Sequence, residues 1–595
     1  MANDARTWNL DHIIPAGDIE PAYRELESSI PENREFLEKF SASMTTEEFR
    51  AYLERDERLT RLYYRLCYRP GLAEDVDKDD QEVQQLVSRV NDLGVRLSEV
   101  ERPANHWLQG KRIDGKEPLD DGNAKRLFAA VPDLEYSLHR SRALARHTLS
   151  KPEEDIVSAK DANLQTALVR LHDRIATNQR YRFKPEGAKR ARIIKTESEA
   201  RAFCMSPKAT EREAAYRAIR AEFQRNEELY FDIYSAIVKD WADEAKRRGY
   251  ASPISMRNAA NDIPDEAVET LMRTCVENAD VFQGYFRWKA KRLGVGKLRR
   301  FDIYAPIESV EETVTLDEGV AMVLDTFGQV SSTFRDRAKR IIDDGHIHSH
   351  PSPMKRGGAY CATVTPDIVP YVLLNWTGKA HGIMDLAHEL GHGVHDLYAA
   401  HHGVSTQRAP LPIAETASTF AESILFDRQL AEAKDDTARA AMLSKRMAES
   451  YATVIRQNNI VRFEMQAHER IPQGITRDEL SALWLDTLHD QFGDAVDVDP
   501  IFRHEWASIP HIVKTPFYCY AYSFGELLSL SIYARYKQDP SFFSEIERIL
   551  QAGGAENPDA VLKRAGVDMR DPSFWQASFG IIRGWQAQLE TATAP

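Results

Sequence analysis

The chain has 595 residues, 43% of them apolar and 29% charged, which is ample material for a packed core. Its 78 Lys and Arg are outnumbered by 92 Asp and Glu, a net charge of −14, so neither nucleic acid nor an anionic membrane surface is an expected partner. Five scattered cysteines (Cys67, Cys204, Cys275, Cys361, Cys519), none in a C-x-x-C pair, predict reduced thiols and a cytoplasmic setting rather than a disulfide framework. Asp4, Arg6 and Asp11 interrupt the first residues before an apolar stretch can form, and no run of about 18 apolar residues follows, so neither a leader nor a membrane span is expected.

From the start of the chain, helical spacing dominates. Residues 19 to about 66 read as two charged amphipathic helices, the second opening on the cap pattern Thr45-Thr46-Glu47-Glu48. Residues 81–100 repeat apolar side chains at three- and four-residue steps (Val83, Leu86, Val87, Val90, Leu93, Leu97). Further helices are expected over 123–128, 134–149, 209–247, 264–293 and 314–342. Strand signals are few and grouped, over 299–307, 347–350, 358–365 and 369–376. The expected fold is therefore mainly α, a multi-helix body with a small β-sheet close to the most informative motif. The looser stretch 183–198 marks a boundary near residue 200, dividing an N-terminal helical domain (1–200) from a larger second domain (201–595).

Residues 388–392 read HELGH. On a helix, His388 and His392 lie one turn apart on one face and supply two ligands of a tetrahedral metal site. Glu389 flanks them as a base toward a metal-activated water. Ile383, Leu386, Ala387, Leu390, Val394 and Leu397 form an apolar stripe, so the helix can pack into a core while presenting its histidines to a cleft. With 18 His in the chain, a chance H-E-x-x-H is expected roughly 0.04 times, so the pentapeptide carries real information. The best third ligand is Glu415, 23 positions after His392, on a second helix expected over 412–430. Ser418, Thr419 and Glu422 share its face and suit hydrogen bonds that support the ligands. His395, His401 and His402 are rival ligands, ranked lower because two lie where the first helix ends and none carries a charge to offset the metal's. Two imidazoles and a carboxylate favour zinc over manganese or cobalt.

Three other patterns bear on chemistry. Residues 510–522 read PHIVKTPFYCYAY, and His511, Tyr518, Tyr520 and Tyr522 offer neutral N–H and O–H donors of the kind an oxyanion needs, although an aromatic core stripe would look similar. Gly357, Gly358, Ala359 and Tyr360 enter an alternating stretch; glycines admit a substrate main chain and a sheet edge can pair with it, although a glycine turn entering a strand reads the same way. His346, His348 and His350 alternate at strand spacing, a loop-strand edge more readily than a metal site, since no acid or cysteine accompanies them.

The run KRGGAYCATVTPDIVPYVLLNWTGKAHGIMDLAHELGHGVH, followed by AETASTFAE, resembles the M3 family of zinc metallopeptidases, most closely its oligoendopeptidase F branch. WNLDHIIP near the start, RRGYAS (247–252) and FDIYAPI (301–307) fit the same branch. The resemblance is most specific from Lys355 to Glu422. It implies a mostly helical fold with a deep central channel, a zincin-like catalytic region, an N-terminal helical lid, and one zinc ion held by His388, His392 and Glu415. It also implies Glu389 as the base, and a histidine and tyrosines near 511–522 as oxyanion donors, Tyr522 fitting best. The expected activity is zinc-dependent hydrolysis of internal bonds in short unstructured peptides by a cytoplasmic monomer. An exopeptidase (a dipeptidyl carboxypeptidase or an aminopeptidase) would use the same zinc chemistry. A non-catalytic peptide-binding scaffold would be expected to have lost a ligand or the base, and here both histidines, Glu389 and Glu415 are present.

Overall fold

The computed structural model describes residues 6–113, 116–307, 313–380 and 382–592. Helices carry most of it, with two two-stranded sheets and one three-stranded sheet. Among the described residues no helix is long and apolar enough to cross a membrane. The fold class expected from the sequence is the one observed.

The chain forms two compact units, each assembled from three stretches. One comprises Met1–Arg146, Glu311–Gln429 and Arg535–Val567; the other comprises His147–Val310, Leu430–Ala534 and Asp568–Pro595.

In the first unit the helices Ile19–Leu37, Thr46–Val76 and Gln81–Leu108 pack together. The second begins as its cap predicts: Thr45 Oγ1 accepts from the Glu48 N–H at 3.1 Å and Glu48 accepts from the Thr45 N–H at 2.8 Å. Their apolar stripes (Leu26, Leu59, Leu66, Leu93, Leu97) bury against Val364, Ile368 and Tyr371 of the three-stranded sheet region. That sheet places Tyr371–Leu373 in the centre, Ile347–His348 parallel on one side and Tyr360–Ala362 antiparallel on the other, with Cys361 opposite Val372. Trp8 and Asn9 tie the start of the chain to it: Trp8 Nε1 donates to the Val372 carbonyl at 3.0 Å and Tyr371 Oη to the Asn9 carbonyl at 2.8 Å. Just past the outer strand, the Thr363 hydroxyl donates to the Asp396 carboxylate on the helix Gly382–Tyr398. The expected small sheet beside the HELGH helix is thus present.

The second unit has an aromatic core in which Phe463 packs on Tyr234 and Trp484 at ring separations of 6.1 and 5.3 Å. Local expectations differ here at several points; 264–293, for one, forms two helices, Asp265–Glu277 and Ala279–Arg292, separated at Asn278. Residues 209–247 form two helices, Ala209–Arg225 and Glu227–Arg247, separated at Asn226, whose side-chain amide donates back to the Glu222 carbonyl at 3.1 Å and competes with helix continuation. The strand expected over 299–307 is confined to Leu298–Arg299, and a tight turn follows at Arg300–Asp302. Side-chain charge accounts for the bend: Arg299 Nε meets Asp302 at 2.8 Å, while Arg300 turns inward to a buried ion pair with Glu505 at 2.7 Å.

Candidate metal centre

His388 and His392 lie on the helix Gly382–Tyr398, whose Ile383, Leu386, Ala387, Leu390 and Val394 are buried. Their Nε2 atoms stand 3.1 Å apart. Glu415 Oε2 lies 3.3 Å from His392 Nε2 and 3.6 Å from His388 Nε2. Around a tetrahedral ion with ligand bonds of about 2.0–2.1 Å, neighbouring ligand atoms are about 3.3–3.4 Å apart, so the three atoms fit the first coordination positions of zinc. Among the described residues they are the one such convergence of His, Cys, Asp or Glu ligand atoms.

The tautomer is set from behind. His388 Nδ1 lies 2.7 Å from Glu422 Oε1 and donates its hydrogen bond to that carboxylate, which leaves Nε2 as the ring atom directed at the cluster. Ser418 Oγ donates to Glu415 Oε2 at 2.8 Å and holds the third carboxylate in place. Burial pulls the His388 imidazole down most strongly, but the hydrogen bond and charge of Glu422, with Glu389 and Glu415, overcome it and lift the ring to about 9. Burial likewise pushes the Glu415 carboxyl up, and the contacts to His392, His388 and Ser418 outweigh it and hold it at about 2. The pocket therefore favours positive charge, as a cation site requires. Glu389 is 7% exposed; burial raises its carboxyl above the ordinary range, Glu415 and Asp385 add to this, and the two histidines oppose it.

The third carboxylate does not sit inside one long helix. The sequence predicts a helix over 412–430, whereas the chain makes a short helix Leu411–Ala414, breaks at Glu415 (φ −88°, ψ 3°), and resumes as Thr416–Ala431. Such a bridge conformation is sparsely allowed and re-aims the side chain. The break lies where the two helices touch, because Gly391 offers no Cβ to the backbone of Ala417 and Ser418.

The rival histidines do other things. His395 is buried, its Nε2 has no hydrogen-bond partner among the described residues, and burial pulls it down to about 4. His401 Nδ1 donates to the Tyr398 carbonyl at 3.2 Å. His402 pairs with Asp133 and its Nε2 donates to the Gln551 carbonyl at 2.8 Å. The strand-spaced triplet is also divided. His346 is shared between His12 Nδ1 and the Val369 carbonyl, both at 2.9 Å, while the His348 ring lies 4.5 Å from that of His350.

Gly357 and Gly358 are exposed, and a Cβ at either would meet nothing within 4 Å. Gly358 has φ +82°, a conformation that favours glycine. The loop around them is pinned: Asn375 Nδ2 donates to the Gly358 carbonyl at 2.7 Å and to the Arg356 carbonyl at 3.0 Å, and Tyr360 Oη donates to Asp75 at 2.8 Å. Ala359 and Tyr360 are half-buried and lead into the outer strand.

In the second unit, His511 Nε2 lies 3.2 Å from Tyr522 Oη, and the Tyr518 ring stands 5.5 Å from that of Tyr522. Tyr522 is 39% exposed. Tyr520 is directed elsewhere: it is fully buried and its hydroxyl accepts from Asn261 Nδ2 at 2.8 Å. Burial, with Arg456 and Lys514 adding to it, lowers the His511 imidazole and favours its neutral form. Neither Asp396 nor Gly391 belongs to a motif of its own; a small residue between His388 and His392 is the signal the sequence offers for the second.

A family model described as Peptidase family M3 matches residues 202–581. The chain is 27% identical over 386 residues to an oligoendopeptidase F homolog of Lactococcus lactis, an alignment covering 64% of this chain and 63% of that one. It is 26% identical over 487 residues to group B oligopeptidase PepB of Streptococcus agalactiae, covering 80% of each. The chain thus spans just under two thirds of the Lactococcus relative's length. In structure it resembles a Chlamydophila abortus protein assigned as a peptidase, with a TM-score of 0.88, 20% identity, and coverage of 99% of this chain and 98% of that one. It also resembles oligoendopeptidase-F of Enterococcus faecium, with a TM-score of 0.69, 21% identity, and coverage of 97% and 99%.

Proposed function

The chain belongs to peptidase family M3, and from that premise we propose that it is a metallopeptidase, a zinc-dependent oligoendopeptidase acting on internal bonds of short unstructured peptides. The observation that carries the proposal is the convergence of His388 Nε2, His392 Nε2 and Glu415 Oε2 at 3.1–3.6 Å, a range that brackets the about 3.3–3.4 Å between ligand atoms around a tetrahedral zinc ion. One zinc per chain, held there, would supply Lewis-acid polarisation of the scissile carbonyl and acidify water. Glu389 accepts the proton of the attacking water and returns it to the leaving amine. Its raised affinity for a proton, a consequence of burial, suits both steps. Glu422 and Ser418 orient His388 and Glu415. His511, Tyr518 and Tyr522 are proposed to donate hydrogen bonds to the developing oxyanion; we assign Tyr520 a structural place, because its hydroxyl is already engaged by Asn261. Gly357, Gly358 and Ala359, with the outer strand Tyr360–Ala362, are proposed to receive the substrate main chain. The open space at Gly357 supports this, since the fold itself makes no use of the missing side chain. Five free cysteines support a cytoplasmic enzyme, and we take it to act as a monomer. Residues 1–200 as an N-terminal segment preceding the catalytic body belong to the same proposal, supported by a family match that begins at residue 202.

The test is metal analysis of the pure protein together with hydrolysis of a quenched fluorescent peptide blocked at both ends, before and after chelation. About one zinc per chain, and cleavage that stops on chelation and returns with zinc, are expected. Hydrolysis only of peptides with a free end would replace the endopeptidase reading with an exopeptidase one. Glu389→Gln should keep its zinc and lose hydrolysis; a variant cleaving at the parent rate would remove Glu389 from the role of base.

A further inference from the structure

The loop carrying His511, Tyr518 and Tyr522 contains a strained residue. Phe517 has φ +60°; among the described residues only Asp262, at the end of a helix, is another non-glycine with positive φ. In this left-handed region Cβ crowds the following carbonyl oxygen, so a bulky side chain stays there only where its surroundings hold it. The restraint comes from Glu464, on the helix Ile455–Arg470, whose Oε1 accepts the Phe517 N–H at 2.8 Å. Glu464 is fully buried, and its Oε2 has no hydrogen-bond partner among the described residues. One turn further, His468 is buried, both its ring nitrogens lack a hydrogen-bond partner among the described residues, and its ring lies 4.5 Å from that of Phe517. Arg257, the cation acting on Glu464, donates through Nε to the Pro516 carbonyl at 3.0 Å. A buried carboxyl and a buried imidazole, both short of partners, are costly where leucine or phenylalanine would pack. The bond that Glu464 does make is to the single strained amide of this loop.

We propose that Glu464 is a positioning residue for the peptidase reaction: by accepting the Phe517 N–H it holds the strained turn that sets Tyr518 and Tyr522 beside His511. The proposal rests on the reading of those three side chains as oxyanion donors. It separates two kinds of residue in the loop, donors that touch the substrate and a buried acceptor that acts through the backbone.

Four variants test it in the full-length zinc-loaded enzyme. Glu464→Met removes the acceptor at similar volume and should lower kcat at least about tenfold with KM and zinc content near the parent values, a fraction of the 10²–10³ that losing an oxyanion donor outright costs. Glu464→Gln keeps an acceptor oxygen and should stay within about threefold of the parent. Glu464→Asp, too short by one methylene to reach the amide, should fall several-fold and decides the matter if the Met variant does not fold. Adding Phe517→Gly, which adopts φ +60° without strain, should recover most of the kcat lost in the Met or Asp variant. Parent kcat in the Met or Asp variants, or no recovery with glycine, would overturn the proposal. Hydrogen exchange at the Phe517 amide is read alongside: protection lost in Glu464→Met and kept in Glu464→Gln reports the restraint even if the parent cleaves no peptide. Failure of the clamp and failure of the peptidase reading are therefore told apart.

Discussion

Gly391 and Ser418 approach so closely that a Cβ on residue 391 would stand 2.6 Å from the Ser418 Cα and 2.8 Å from the Ala417 carbonyl oxygen. The glycine lies between His388 and His392, and Ser418 hydrogen-bonds Glu415, so this contact sets the distance from the two imidazoles to the carboxylate. Because the opposing atoms are backbone, they cannot yield by a rotamer change.

Gly391→Ala should therefore fold but bind zinc poorly. We expect substoichiometric zinc after dialysis and a fall in kcat/KM of about 10²-fold, since misplacing reacting groups by about 1 Å has that effect. Metal analysis with far-UV circular dichroism checks this; full zinc occupancy in a well-folded variant would refute it.

Glu422 accepts a hydrogen bond from His388 Nδ1, on the side of the ring away from Nε2. Glu422→Leu should weaken zinc binding about 10–100-fold, the usual effect of removing such a partner. Competition with a fluorescent chelator measures this directly, and an unchanged dissociation constant would show that His388 needs no orienting carboxylate.

Tyr522 and Tyr520 should part company on mutation to phenylalanine. Tyr522→Phe removes a proposed oxyanion donor, and kcat should fall about 10²–10³-fold with KM little changed. Tyr520→Phe leaves Asn261 without its acceptor and should cost about 1–3 kcal/mol of stability while kcat stays within a few-fold of the parent. Steady-state kinetics and urea unfolding on both variants separate the two effects.

At Gly357 a side chain would enter open space, so Gly357→Val should leave the melting temperature within about 2 °C of the parent. If the substrate main chain lies there, KM should rise about tenfold. A variant with parent KM would place the peptide elsewhere.

Asp133 accepts from the His402 ring, from Thr406 Oγ1 at 2.6 Å and from the Gly403 N–H at 3.0 Å, gathering the turn after the histidine helix. Burial pushes its carboxyl up, but these bonds overcome it and hold it at about 2, while Asp133 lifts His402 above the ordinary histidine value. A depressed carboxylate stabilises above its unfolded value of about 3.9 and loses that contribution as pH falls toward 2. A raised histidine stabilises below about 6.5 and loses its contribution as pH rises through the folded value. Asp133→Asn should thus cost most between about pH 4 and 6.5, on the order of 1–3 kcal/mol, and the deficit should shrink on either side. Unfolding midpoints of parent and variant across pH 2–8 would show it, and a pH-independent difference would not fit.

Some of this was legible early because it is local. Two histidines four apart share a helix face wherever the helix goes, so His388, His392 and the flanking Glu389 could be read directly as candidates. The helical character and the single cluster of strand signals were visible for the same reason. Glu415 was reachable as a residue, but its place at a break between two helices was not. The three tyrosines read as one alternating set, yet residues 520–538 are helical. Tyr518 and Tyr522, four apart, come together, and Tyr520 turns to the opposite side and into the core.

By itself, then, the sequence determined the chemistry on offer: two imidazoles at helical spacing, a carboxylate beside them, and a mainly helical body with a small sheet near the motif. Only the tertiary structure decided which distant side chains complete the site, placing Glu415 Oε2 3.3 Å from His392 Nε2 and pairing Glu422 with His388. The reason is physical. Periodicity describes what a segment shows to one face, whereas the meeting of two segments depends on backbone approach and local breaks, such as the missing Cβ at Gly391 and the turn at Glu415, that no repeat encodes.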